Sequence, residues 1–201
     1  YNSSVITTAD WYNNSGAWSV DANGLAGPEA NFISKVAVPS GSNDYEAKVV
    51  CPSGPSCNAT IFLRASTNAK LYPTDQGTFY YVTIVQGFAL YVGKRNGPVM
   101  WSLGQQSVPV YPLSSPATIR AVIRGTTISV FVNNVLAGRW SDSEIASGQP
   151  GFGNFQQYLP PFYASGISSV QFGSIETVAP VPAGATPSAT ATSPYSVSLS
   201  W

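Results

Sequence analysis

The chain is predicted to be all-β, a two-sheet antiparallel β-sandwich, and three observations carry that expectation. Short runs with period-two alternation recur along it, turn residues separate them, and no stretch keeps a helical period over a useful length. The clearest run is Ala117–Phe155. In Thr118–Arg124, Ile119, Ala121 and Ile123 point one way, while Thr118, Arg120 and Arg124 point the other, as in a half-buried strand. Gly125-Thr126 turns the chain, and Ile128, Val130 and Val132 supply a second apolar row. Asn133-Asn134 follows, a pair that tolerates the positive φ of a tight hairpin. Val135–Trp140 is a third strand, leading into Ser141-Asp142-Ser143 and a turn over Gly148–Gly153.

Earlier in the chain, Ala17–Val20 reads as a strand with a turn at Ala22–Gly24, and Phe32–Val38 alternates. Tyr45–Cys51 and Asn58–Arg64 are two strands whose spacing predicts a hairpin closed by the loop between the cysteines. Ser66–Gly77 is a polar loop. Thr78–Gln86, Phe88–Arg95 and Val99–Leu103 then form a meander, with Asn96-Gly97-Pro98 as a turn. Gln105–Pro116 is a long Pro-punctuated connection, Tyr158–Tyr163 an aromatic loop, and Ile167–Thr177 a last strand. From Val178 the composition changes to VAPVPAGATP, that of a linker, and Ser188–Trp201 reads as a turn and an alternating strand. The expected organisation is residues 1–178 as one sandwich, 179–187 as linker and 188–201 as the first strand of a further domain or a C-terminal extension.

All-β folds of 201 residues often form one domain. Charged residues make up 9% and aromatics 12%, a balance that favours a packed core over disorder. Net charge is zero, with no histidine and no basic run, so neither nucleic acid nor an anionic membrane is an expected partner. No apolar run is long enough to span a bilayer. Tyr1 is not an initiator Met and no signal-peptide pattern precedes the first strand, so a mature or trimmed chain is expected.

Cys51 and Cys57 flank Pro and Gly residues that favour a turn. A disulfide is expected there, with a metal pair or two free thiols as the alternatives; there is no further Cys or His to complete a metal site. A bridge across so short a loop contributes about 2 kcal/mol on the loop-entropy estimate and implies an oxidising, extracellular setting.

The hairpin IRAVIRGTTISVFVNN, the following WSDSEIASGQPGFGNF and the closing SSVQFGSI together resemble the concanavalin A-like lectin/glucanase superfamily of jelly rolls, and within it laminin-G-like domains. Asp142, Ser147, Gly148 and Gly151 occupy the aspartate and Ser-Gly-x-x-Gly positions of that pattern. The likeness covers about Trp11 to Val178. The tail PSATATSPYSVSLSW resembles the first strand of a fibronectin type III domain, which implies continuation beyond Trp201.

Glycosidases of this superfamily use closely spaced acids on one strand. Here no two of the nine acidic residues sit at i and i+2 within an expected strand. Asp142 and Glu144 come nearest, in a turn-like segment where a capping Asp beside a solvated Glu is the simpler reading. Catalysis is therefore not expected, and a Ser-His-Asp arrangement is impossible. Asp10, Asp21, Asp44, Asp75 and Asp142 are scattered singly; Ca2+ at a mixed carbonyl–carboxylate site stays open on superfamily precedent, without a motif, and no other cofactor is expected. Asn2, Asn13 and Asn58 begin N-x-Ser/Thr triplets.

If Ile61/Leu63, Tyr80/Val82/Ile84, Leu90/Val92 and Ile128/Val130/Val132 face the core, alternation turns Phe62, Arg64, Phe79, Tyr81, Tyr91, Arg95 and Phe131 outward. Of these, Phe62, Arg64, Tyr81, Tyr91, Arg95 and Phe131 are the expected carbohydrate contacts, on one concave face where rings stack on sugar and guanidiniums reach hydroxyls. The alternative is that loops such as Ser66–Gly77 cover those aromatics. Trp101 and Trp140 are expected in core or rim packing. The expected function is a non-catalytic extracellular carbohydrate-binding or adhesion module of a larger protein, its partner a glycan or cell-surface polymer. Two alternatives are a surface filament or sheath subunit that self-assembles through its C-terminal segment, and a glycoside hydrolase-like enzyme.

Overall fold

The computed structural model describes residues 11–13, 19–20, 26–27, 34–37, 43–52, 57–69, 76–85, 87–109, 112–153, 169–173, 175, 188–193 and 196–200. Side chains are described within 43–52, 57–69, 76–85, 87–109, 112–153, 171–173 and 175. The aromatic loop and the linker expected at 158–163 and 178–187 lie outside the described residues, as does Asn2.

Sixteen strands are described: β1 (Trp11–Asn13), β2 (Ser19–Val20), β3 (Ala26–Gly27), β4 (Ser34–Ala37), β5 (Tyr45–Cys51), β6 (Ala59–Ala65), β7 (Phe79–Val85) and β8 (Ala89–Arg95), followed by β9 (Met100–Ser107), β10 (Ala117–Arg124), β11 (Thr127–Val132), β12 (Val135–Ser141), β13 (Gln149–Gly153), β14 (Ser169–Gly173), β15 (Ser188–Ser193) and β16 (Ser196–Ser200). Two antiparallel sheets form the sandwich. The larger has seven strands in the order β1-β4-β13-β6-β7-β8-β9, and the smaller has five in the order β12-β11-β10-β5-β14. The all-β, two-sheet expectation holds, and the likeness reported below identifies the jelly-roll type.

The alternation read from the sequence builds the core. Ile61, Leu63, Tyr80, Val82, Ile84, Leu90 and Val92 from the larger sheet meet Ile119, Ala121, Ile123, Ile128, Val130 and Val132 from the smaller one. Each is nearly or wholly buried. Hairpin register between β10 and β11 runs from Ile119↔Val132 to Arg124↔Thr127. Asn133 and Asn134 have φ of 49° and 65°, the paired left-handed residues of a two-residue turn whose twist matches the strands it joins.

Three expectations are corrected. β5 and β6 are not a hairpin: β5 pairs with β10 and β14, and β6 with β7 and β13. The Cys51–Cys57 disulfide forms, with Cα atoms 5.6 Å apart, but it clasps a crossing from one sheet to the other. Spacing alone does not separate a hairpin from a corner between sheets, because both join two alternating strands by a short turn. The segment expected as a turn at Gly148–Gly153 contains β13, which is inserted between β4 and β6. Its glycines and proline weaken any strand signal, yet Gly151 and Gly153 face Phe62 and Thr60 across the ladder. Finally, the tail expected as one strand holds two, β15 and β16, paired antiparallel.

Candidate functional site

Strands β6 to β9 form a consecutive meander within the larger sheet, and their outward residues make a second, smaller apolar cluster. Phe62, Ala65, Ala69, Phe79 and Tyr81 pack there, with Tyr91 and Met100 against them. The Phe62 and Phe79 rings meet edge to face with centroids 5.2 Å apart. Ala69 comes from the segment after β6, which folds back through Ser66. The Ser66 amide donates to the Thr78 carbonyl at 2.9 Å, and its hydroxyl accepts the Thr78 amide at 2.9 Å. Loop cover of these aromatics, the alternative posed from the sequence, is thus realised at Phe62 and Phe79, which are 1% and 0% exposed.

The six expected contacts separate into three groups. Tyr81, Tyr91 and Arg95 share the outer face of the larger sheet. Tyr81 stands opposite Gly93, and Tyr91 and Arg95 are the residues two before and two after that glycine on β8. The Tyr81 hydroxyl occupies the space that a Cβ on Gly93 would fill, so the phenol crosses β8 between Tyr91 and Arg95. Burial holds the Tyr81 pKa above its ordinary value, so it stays a protonated hydrogen-bond donor through the neutral range. Tyr91 is half-buried, flanked by Thr83 on β7 and the exposed Gln105 on β9. Arg95 donates from Nη1 to the Gly77 carbonyl at 2.6 Å, which ties the end of the loop to the face.

Phe62 is on this face too, but beneath its cover. Arg64 and Phe131 are elsewhere, which corrects the single concave face expected. Arg64 has a φ of 49°, and the β6–β13 register shifts beside it. That left-handed turn breaks the alternation and sends the guanidinium to one end of the sandwich. It donates to the carbonyls of Asn43 (3.1 Å), Ile145 (2.9 Å) and Gly125 (2.8 Å), and it pairs with Asp44 at 3.3 Å. Phe131 is on β11 of the smaller sheet, facing away from the core, with the Arg120 guanidinium 4.2 Å from its ring centroid. Arg120 also holds Glu46 at 3.0 Å.

Sequence reasoning missed Lys94 and the part that the Tyr80 hydroxyl plays beside it. Lys94 continues the inward row of Leu90 and Val92, and an inward lysine requires a carboxylate partner; that signal was readable. Its ammonium contacts Asp142 and lies 2.6 Å from Glu144. Desolvation, the largest single influence, pulls the Lys94 pKa down, but hydrogen bonds and charges from Asp142 and Glu144 outweigh it and hold it above its ordinary value. The Tyr80 hydroxyl donates to Asp142 at 2.7 Å, and burial pushes the Tyr80 pKa up to about 12. Asp142 caps its own turn by accepting the Glu144 amide at 3.0 Å.

Trp101, expected in packing, is 57% exposed on the edge strand β9, opposite Lys94. Trp140 does pack at the rim: it lies against the core, and its ring fills the space beside Gly104 on β9 and Gly138 on β12. The two sheets meet at that edge, where the Gln106 amide donates to the Ala137 carbonyl.

Among the described residues, no three His, Cys, Asp or Glu side chains gather where they could hold a metal ion. No described helix is long and apolar enough to cross a membrane.

No protein-family model matches the chain, and no curated protein matches it by sequence. Solved structures match it in fold. The carbohydrate binding module CBM66 from Bacillus subtilis is 13% identical with a TM-score of 0.57, over 84% of this chain and 94% of that one. The exoplasmic/lumenal domain of VIP36 in its Ca2+-bound form is 9% identical with a TM-score of 0.59, over 85% and 86%. Galectin LEC-6 of Caenorhabditis elegans is 14% identical with a TM-score of 0.50, over 84% and 99%. The chain thus shares the two-sheet jelly-roll fold of these structures.

Proposed function

We propose that the chain is a non-catalytic carbohydrate-binding module that holds glycan on the outer face of the larger sheet, along β8 and β9. The observation that carries this is the row Tyr91–Tyr81–Arg95, in which two phenols and a guanidinium converge across Gly93. Tyr81 and Arg95 are 8% and 7% exposed, so in this reading the half-buried Tyr91 ring stacks on the apolar face of a pyranose and the other two offer only their polar tips to its hydroxyls. A fold shared with a carbohydrate binding module and a galectin supports the same reading.

Asp142 and Glu144 are poorly suited to hydrolysis. Desolvation raises the Asp142 pKa, but Lys94, the Glu144 amide and Tyr80 outweigh it and keep it below the usual carboxylate range. Lys94 and Asn96 lower that of Glu144. Neither acid is held protonated, as a general acid must be.

The disulfide supports an extracellular or secretory setting. In this reading the sandwich at 1–178 is of the laminin-G-like type and serves adhesion or polymer attachment, followed by the linker 179–187 and a fibronectin type III-like unit beginning at 188. The test is a glycan array and insoluble-polysaccharide pull-down with the 201-residue chain. Binding that Tyr91→Ala removes from a folded protein supports the reading, and a blank array with blank pull-downs refutes it.

A further inference from the structure

We infer that the rim of the sandwich beside the β8–β9 turn is a second glycan subsite, formed by Trp101, Glu144 and Asn96 and selective for uncharged pyranoses. It rests on the glycan-binding reading above, but on none of the outer-face residues.

The first observation is an aromatic ring that is left mostly in solvent. Trp101 is the most exposed of the large hydrophobic residues described, at 57%, and Val99, two positions before it, is 49% exposed. The next inward position, Leu103, returns to the core. The chain thus carries an apolar row out of the core and past the end of its cover.

The second observation is the polar group held by Lys94, the residue that faces Trp101 across the ladder. Trp101 stands directly opposite Lys94, a placement that brings cross-strand Cβ atoms to about 5 Å. Lys94 ends on Glu144 at 2.6 Å, and the Asn96 amide donates to the other Glu144 oxygen at 3.3 Å. Two donors on different oxygens orient the carboxylate before any ligand arrives, which lowers the ordering cost of binding. Its side chain is still 55% exposed, so lone pairs remain for hydroxyl donors. In the proposed site a pyranose rests on the indole and turns its hydroxyls towards the Glu144 acceptor and the Asn96 amide.

The third observation is charge. One ammonium, Lys94, serves two carboxylates, Asp142 and Glu144, leaving one negative charge in surplus. Lys94 and Asn96 also favour the ionised form of Glu144. A uronate or sulfated sugar on Trp101 would meet like charge, whereas a neutral sugar would not. The Glu144 carboxylate is on the solvent side of this group, and Trp101 is left more than half exposed in cross-strand register with Lys94.

The test is an NMR titration of the 15N-labelled 201-residue chain with cellohexaose, mannohexaose, chitohexaose and tri-galacturonic acid. The Trp101 indole N–H signal is assigned by its disappearance in Trp101→Phe. At least one neutral hexaose should move that signal, and tri-galacturonic acid should not. Trp101→Ala and Glu144→Gln should each weaken the active sugar by about tenfold, with folds unchanged. A sugar that binds with the Trp101 signal unmoved, or with equal affinity to Trp101→Ala, overturns the rim site and leaves the glycan-binding reading standing. Movement of that signal by tri-galacturonic acid overturns the selectivity on which the inference rests. If no sugar shifts any signal, both the rim site and the reading beneath it fall.

Discussion

The Tyr80 hydroxyl donates to the Asp142 carboxylate at 2.7 Å and accepts the Ile145 amide at 3.0 Å. One oxygen on β7 thereby fixes both ends of the turn that follows β12. Asp142 holds the near end by bonding the Glu144 amide, and Lys94 on β8 neutralises it. The aspartate that carried the family likeness is therefore a fastening between the two sheets.

Removing that oxygen leaves a buried amide without its acceptor and takes from Asp142 one of its three donors. Tyr80→Phe should lower stability by about 2 kcal/mol, read as a lower urea midpoint at unchanged m-value. An unchanged midpoint would show that the hydroxyl is not structural.

The fastening also sets a pH window. The folded Asp142 pKa is depressed, so its contribution is complete above the ordinary carboxylate value of about 4 and is lost as pH falls through the folded value. The folded Lys94 pKa is raised, so its contribution is complete below about 10.4 and is lost as pH rises through the folded value. Stability should therefore show a plateau between these limits. The difference between wild type and Asp142→Asn should be largest on that plateau and shrink in urea unfolding as pH falls below the ordinary carboxylate value of about 4.

Arg64 presents a different balance. Its guanidinium satisfies three backbone carbonyls around one end of the sandwich, and the side chain is only 5% exposed. Arg64→Ala strands those acceptors and should cost about 3 kcal/mol, measured by thermal or urea unfolding. Glycan affinity of the folded fraction should not change, because Arg64 is not on the binding face.

The disulfide clasps the β5–β6 crossover. Cys51→Ser with Cys57→Ser should lower stability by about 2 kcal/mol, and a wild-type chain without reductant should show no free thiol in a thiol assay.

The core was legible because alternation is read directly from residues such as Ile119, Ala121 and Ile123, and burial follows it. The site was less so. Alternation correctly put Tyr81, Tyr91 and Arg95 on one face, but it carries no information on which sheet a strand joins, so Phe131 was grouped with them across the sandwich. Arg64 failed for a local reason: a left-handed φ at a non-glycine residue has no signature in the side-chain pattern. The inward place of Lys94 was readable on its own strand, but its meeting with Trp101 was not. Their cross-strand register depends on a bulge between Val92 and Gly93, which no spacing rule locates.

The most direct test of the account is calorimetric titration of an array-positive glycan into wild type and Tyr91→Ala, with matched unfolding curves. The account predicts saturable one-to-one binding to wild type and at least a tenfold weaker affinity, about 1.4 kcal/mol, in a variant of similar stability. Equal affinity in the two proteins would contradict it.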